Sequence, residues 1–206
     1  TADLVALAEK VKAPSGWRWG KPTTVRFDDK LDVEGWTFTN AKVQRKRDHW
    51  LISADERFYV HRTLPKGLDK VPAVRIDTWL RATRPDDNPI RIGLGTTDAN
   101  GRINAVQHFL YDFAMNRDGE TQQVIFTRDH VFEHAKMPWG KTVHVSVVIS
   151  GKQVIGRRDD CKPVPAVGIR EAQLDANTHF ALQGWMKRVE WLAISCPMSA
   201  IRFIIG

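Results

Sequence analysis

The side chains best suited to do chemistry stand on alternate positions of one short segment. In Val74-Arg75-Ile76-Asp77-Thr78-Trp79-Leu80-Arg81, the residues Val74, Ile76, Thr78 and Leu80 take one phase and Arg75, Asp77, Trp79 and Arg81 take the other. A period of two is strand spacing, so the polar and aromatic set shares the face opposite the core. Arg91, alternating with Ile90 and Ile92, and His144, between Val143 and Val145, occupy equivalent phases. An indole among guanidinium groups and a carboxylate can stack on a ring while the charged groups hydrogen-bond its substituents. The competing reading is an outer sheet face whose charges pair across strands. Gln183 and Trp185 join the ligand-binding candidates, because Trp185 follows Gly184 and reads as an exposed turn tryptophan.

Acid and base groups are present but not coupled by any spacing. Asp77, Asp112, Glu133 and Glu190 are the inward or groove-facing carboxylates, while His108, Tyr111 and His144 could act as a base with Arg75 as the neutralising cation. The catalytic candidates are therefore Asp77, His108, Tyr111 and His144. His130 and His134 are four apart with Glu133 between them, a zinc spacing only on a helix. The segment instead follows a strand and precedes Lys136-Met137-Pro138, so no metal site is expected there. Asp86-Asp87-Asn88 and Asp98 with Asn100 offer oxygen ligands, but the same residues are what ordinary turns use.

The elements that must position these groups are mostly strands. Leu4, Leu7, Ala8 and Val11 mark one face of a short helix over residues 2–12, ended by Pro14 and Gly16. From Arg26 onward, strand-sized runs recur between turn signals such as Asp28-Asp29, Pro65-Lys66-Gly67, Ala99-Asn100-Gly101 and Ser150-Gly151. The segment 105–115 is apolar on both phases, as a central strand would be. Long helical patterns do not return, which excludes alternating βαβ units. The expectation is an all-β, two-layer antiparallel sandwich over residues 26–206, preceded by a helix and lead-in over residues 1–25.

Length and composition agree. The 206 residues suit one large β domain, and with 42% hydrophobic and 27% charged residues the chain is of ordinary globular composition. No apolar run approaches the roughly 20 residues of a membrane-spanning helix, so no membrane insertion is expected. A formal net charge of +7 favours an acidic partner. The basic residues are scattered apart from Arg45-Lys46-Arg47 and Arg157-Arg158, and no nucleic-acid motif accompanies them, so no nucleic-acid partner is expected. Cys161 and Cys196 lie beside turn-like, proline-bearing segments; they form one disulfide or remain two thiols, and the reading expects them close enough to bridge.

Three patches carry a resemblance. Phe27-Asp28-Asp29-Lys30-Leu31-Asp32-Val33-Glu34-Gly35-Trp36 resembles the opening of concanavalin A-like domains, including the 3-keto-disaccharide hydrolase family. Trp139-Gly140-Lys141 leading into Val143-His144-Val145-Ser146-Val147, then Gly151-Lys152-Gln153-Val154, is similar to laminin G-like domains. His179-Phe180-Ala181-Leu182-Gln183-Gly184-Trp185 before Val189-Glu190-Trp191 resembles their closing strand pair. The resemblance implies a jelly-roll fold, a carbohydrate partner and a secreted or periplasmic location; no cofactor is expected, calcium being an ion that laminin G-like domains can take. Paired catalytic carboxylates of β-glucanases and the arginine-rich strand of alginate lyases do not match, so no catalytic residues carry over. The expected function is binding of an oligosaccharide or an acidic or complex polysaccharide through Arg75, Asp77, Trp79, Arg81, Arg91, His144, Gln183 and Trp185. Its rivals are a glycoside hydrolase or polysaccharide lyase, whose hydrolytic form needs two carboxylates about 5 to 9 Å apart, and a laminin G-like protein-interaction domain.

Overall fold

A computed structural model of the chain describes residues 17–19, 24–63, 73–82, 90–95, 110–112, 120–126, 131–136, 140–150, 153–158, 164–167, 179–185 and 188–202. The helix expected over residues 2–12 lies outside them, as does Cys161 of the expected bridge. All regular structure among the described residues is β. The strands are β1 (Trp17–Trp19), β2 (Thr24–Arg26), β3 (Thr37–Thr39), β4 (Lys42–Arg45), β5 (Trp50–Ser53), β6 (Arg57–Thr63), β7 (Ala73–Ala82) and β8 (Ile90–Gly95). They continue with β9 (Leu110–Asp112), β10 (Glu120–Phe126), β11 (Val131–Lys136), β12 (Val143–Ser150), β13 (Gln153–Arg158), β14 (Val164–Val167), β15 (His179–Trp185) and β16 (Arg188–Arg202).

Two antiparallel sheets result. The first has nine strands in the order β14-β13-β12-β7-β16-β5-β4, with β1 and β2 also paired to β16. The second has seven, in the order β11-β10-β9-β8-β15-β6-β3. Residues 17–19 and 24–26 pair with β16 in the first sheet as β1 and β2. The piece of the 105–115 segment that is described, β9, runs between β8 and β10 as a central strand.

The inner face of the first sheet is the predicted apolar phase of β7. Val74, Ile76, Thr78 and Leu80 pair in register with Ile149, Val147, Val145 and Val143 of β12. Directly opposed residues of an antiparallel pair share a face, and the described members of this set are at most 1% exposed. From the second sheet, Phe58, Val60, Phe180, Leu182 and Ile92 are likewise buried. Aromatic rings join the layers: Trp50 meets Phe27 at 4.8 Å, Trp36 at 5.9 Å and Phe38 of β3 at 5.8 Å between centroids.

That cluster explains the opening Phe27-to-Trp36 motif as packing. Asp28 Oδ1 accepts from the Lys30 and Leu31 amides at 2.9 and 3.0 Å, and its carbonyl accepts from Trp50 Nε1 at 2.9 Å. The Trp36 amide donates to the Val33 carbonyl at 3.0 Å, closing a turn in which Gly35 has φ +79°. Positive φ at the third turn residue is the type II requirement that glycine meets without strain. The turn brings Trp36 back onto Phe27, edge to face at 5.1 Å.

Two turn readings are corrected. Gly184 lies inside β15, opposite Phe58 and Ile90. A Cβ there would sit 2.4 Å from the Phe58 ring, so the glycine makes room for a core aromatic, and Trp185 is a strand residue opposite Arg57. Ser195-Cys196-Pro197 does not end a strand, because β16 runs through it with a register shift against β7 between Ser195 and Met198. A bulge accommodates a proline that has no ladder donor.

Candidate functional site

The topology divides the predicted site between two sheets. Arg75, Asp77, Trp79, Arg81 and His144 are on β7 and β12 of the first sheet. Arg91, Tyr111, Gln183 and Trp185 are on β8, β9 and β15 of the second. One groove cannot collect both groups, because a hydrophobic core about 10 Å thick separates packed sheets. The same division separates Tyr111 from His144 and Arg75, and splits the carboxylates into Asp77 and Glu190 against Asp112 and Glu133. His108, Asp98, Asn100, residues 86–88 and His130 lie outside the described residues. His134 and Glu133 are on strand β11. With His134 in a strand, the helical premise of that zinc spacing does not hold.

On the first sheet the predicted group does assemble, but inside the protein. Arg75, Asp77, Trp79 and His144 are 0%, 0%, 1% and 4% exposed, which corrects the expectation of an open groove. Asp77 is the hub: Arg75 Nη2 donates to Oδ1 at 2.9 Å, Arg75 Nε lies 2.8 Å from Oδ2, and His144 Nε2 is 2.6 Å from Oδ1. The geometry follows from strand period and register, since Arg75 and Asp77 are two apart on β7 and His144 opposes Trp79. Trp79 stacks on His144 with centroids 4.8 Å apart and planes 16° apart. Buried charges persist where they are paired and hydrogen-bonded. Of the reading that competed with the groove, the cross-strand pairing is found between His144 and Asp77 but the solvated face is not, and the Trp79 indole N–H has no hydrogen-bond partner. Arg81 is half-buried at the edge of the group.

The second sheet carries a polar row. Tyr59, Gln183, Arg91 and Asp112 are consecutive register partners across β6, β15, β8 and β9. Tyr59 and Gln183 stand on the phase opposite Phe58, Val60 and Leu182 and are themselves buried, 4% and 5% exposed. The next row holds His61 opposite Ala181, itself opposite Gly93. His61 Nδ1 and His179 Nδ1 are 3.0 Å apart, a contact between residues 118 positions apart that no local pattern announces. His61 is 3% exposed and its Nε2 has no partner. Burial pushes both histidines below the usual imidazole value, and for His61 the neighbouring His179 adds to it. Tyr59, His61 and His179 were absent from the sequence-based set; the alternation Phe58-Tyr59-Val60-His61 is the signal that could have found the first two.

Among the described residues no group of three or more His, Cys, Asp or Glu side chains is arranged to hold a metal, and no helix is long and apolar enough to cross a membrane.

The layer order, with the terminal strand β16 central in one sheet and the run β8 to β11 contiguous in the other, is decisive for the class. The fold is the concanavalin A-like jelly roll. No protein-family model matches the chain, and no curated protein matches it. Solved structures do. A Bacillus subtilis protein of unknown function with a galectin-like fold superposes with a TM-score of 0.66 at 9% identity, covering 91% of this chain and 100% of its own. The Emp47p carbohydrate recognition domain gives 0.64 at 7% identity, covering 92% and 100%. The VIP36 exoplasmic/lumenal domain, in its Ca2+/Man3GlcNAc-bound form, gives 0.61 at 7% identity, covering 91% and 92%. At these identities the likeness establishes the fold.

Proposed function

We propose that the chain binds carbohydrate on the second sheet, through the row Tyr59, Gln183, Arg91 and Asp112. The observation that carries this reading is the register: four residues with hydrogen-bonding side chains stand side by side across four adjacent strands. Such a row matches the spaced hydroxyls of a saccharide, which ask for a planar amide, a phenol, a guanidinium and a carboxylate. The first sheet supports the assignment by contrast, because Arg75, Asp77 and His144 spend their polar capacity on one another.

Similarity of fold to a carbohydrate recognition domain and to a Man3GlcNAc-bound lumenal domain supports the substrate class. Arg91 and the net charge of +7 lean toward acidic sugars. An extracytoplasmic location, secreted or periplasmic, suits such a ligand. Calcium, bound by the VIP36 domain, would be recruited through loop oxygens rather than through the described strands.

The test is a glycan array of neutral and uronate-bearing oligosaccharides, followed by calorimetry with any hit. Gln183→Ala and Arg91→Ala should each lower affinity at least tenfold, measured below the thermal midpoint of each variant so that loss of binding is separated from loss of fold. A blank array, or affinity unchanged in both variants, overturns the reading. New reducing ends or unsaturated products during incubation would move it from binding to catalysis.

A further inference from the structure

We propose that His61 and His179 form a cis bis-imidazole site for a divalent transition metal that favours square or octahedral coordination, copper(II) or nickel(II). The inference is independent of the saccharide reading. It begins with the two Nδ1 atoms, which face each other at 3.0 Å across β6 and β15. Metal–imidazole bonds are about 2.0–2.1 Å. Two nitrogens 3.0 Å apart on one ion therefore subtend about 94° at the metal. That is the cis angle of a square or octahedral centre. A tetrahedral zinc would need the nitrogens about 3.3–3.4 Å apart, so the spacing selects against it.

The surroundings suit a ligand pair. His61 opposes Ala181, and His179 opposes Thr63 on one side and Gly95 on the other, so β8 contributes only glycines, Gly93 and Gly95, beside the imidazoles. No side chain from that strand covers the pair. Without metal, one ring donates its Nδ1 proton to the other. Metal entry requires that ring to move its proton to Nε2, leaving two Nδ1 lone pairs on the ion; the proton count of the pair does not change. His61 Nε2 has no hydrogen-bond partner, so no existing contact opposes that tautomer.

The experiment uses the full chain stripped with chelator, titrated with Cu2+ alone, then Ni2+ and Zn2+. The expected result is one Cu2+ per chain, an electron paramagnetic resonance spectrum with hyperfine structure from two nitrogens, and binding at least tenfold weaker in His61→Gln and in His179→Gln. Because the chain has seven histidines, the two variants decide where the copper sits. Paramagnetic broadening by Cu2+ of the His61 and His179 imidazole nitrogen resonances tests the site in the unaltered protein, whatever the variants do to folding. Copper binding unchanged in both variants, broadening confined to other histidines, or Zn2+ bound as tightly as Cu2+ would each overturn the proposal.

Discussion

Replacing Asp77 by asparagine should unfold the protein more readily rather than empty a ligand site. Asp77 and Arg75 are both 0% exposed, and the carboxylate takes two contacts from the guanidinium and one from His144 within 2.9 Å. Asparagine keeps the shape and one acceptor but removes the negative charge from between two cationic or donor groups. Breaking a buried pair by losing one member costs about 3–5 kcal/mol, a large part of the 5–15 kcal/mol that stabilises a typical domain. The lower end, about 3 kcal/mol, is expected for Asp77→Asn because its amide oxygen can still accept. Asp77→Ala should approach 5 kcal/mol, since it also empties volume. Urea titration reads this as a lower midpoint at unchanged slope. The double variant Arg75→Met with Asp77→Leu should recover much of the loss, because an apolar pair of similar size removes both desolvation penalties. A loss below 1 kcal/mol for Asp77→Asn, or strictly additive single and double variants, would refute the view of this cluster as an internal ion pair.

Trp79→Ala should cost about 3–5 kcal/mol in the same titration, as for other fully buried aromatics, and full stability after the change would return Trp79 to the ligand-facing candidates. Gly184→Ala should destabilise by about 1–3 kcal/mol through overpacking, with partial rescue by Phe58→Leu, since the new methyl falls on the Phe58 ring. The folded chain should also lose stability on acidification. His61 and His179 have folded-state values below the unfolded 6.5, so the unfolded chain takes up protons first; the penalty is absent well above 6.5, grows as pH falls from there to the folded values, and levels off below them. Chemical denaturation of the metal-free protein at a series of pH values checks this, and the slope between pH 7 and 5 should flatten in a His61→Gln, His179→Gln double variant.

Strand periodicity made the phases of β7 and β12 legible. Val74, Ile76 and Leu80 with Val143, Val145 and Val147 had to share a face because apolar side chains alternate with polar ones, and a one-residue slip would bury the wrong set. The all-β class and the Phe27-to-Trp36 turn were readable for the same local reason. Exposure was not readable. Arg75, Asp77 and Trp79 carry the pattern of a solvated face, yet they are buried, since period two tells which residues share a side but not what lies over it. Sheet membership was equally hidden: Arg91 and Arg75 look alike in sequence, but β8 pairs with β15 and β7 with β12 and β16, which puts a core between them. The pairing of His61 with His179 depends on two strands whose register is set across more than a hundred residues, where only the global burial of apolar faces decides which backbones meet.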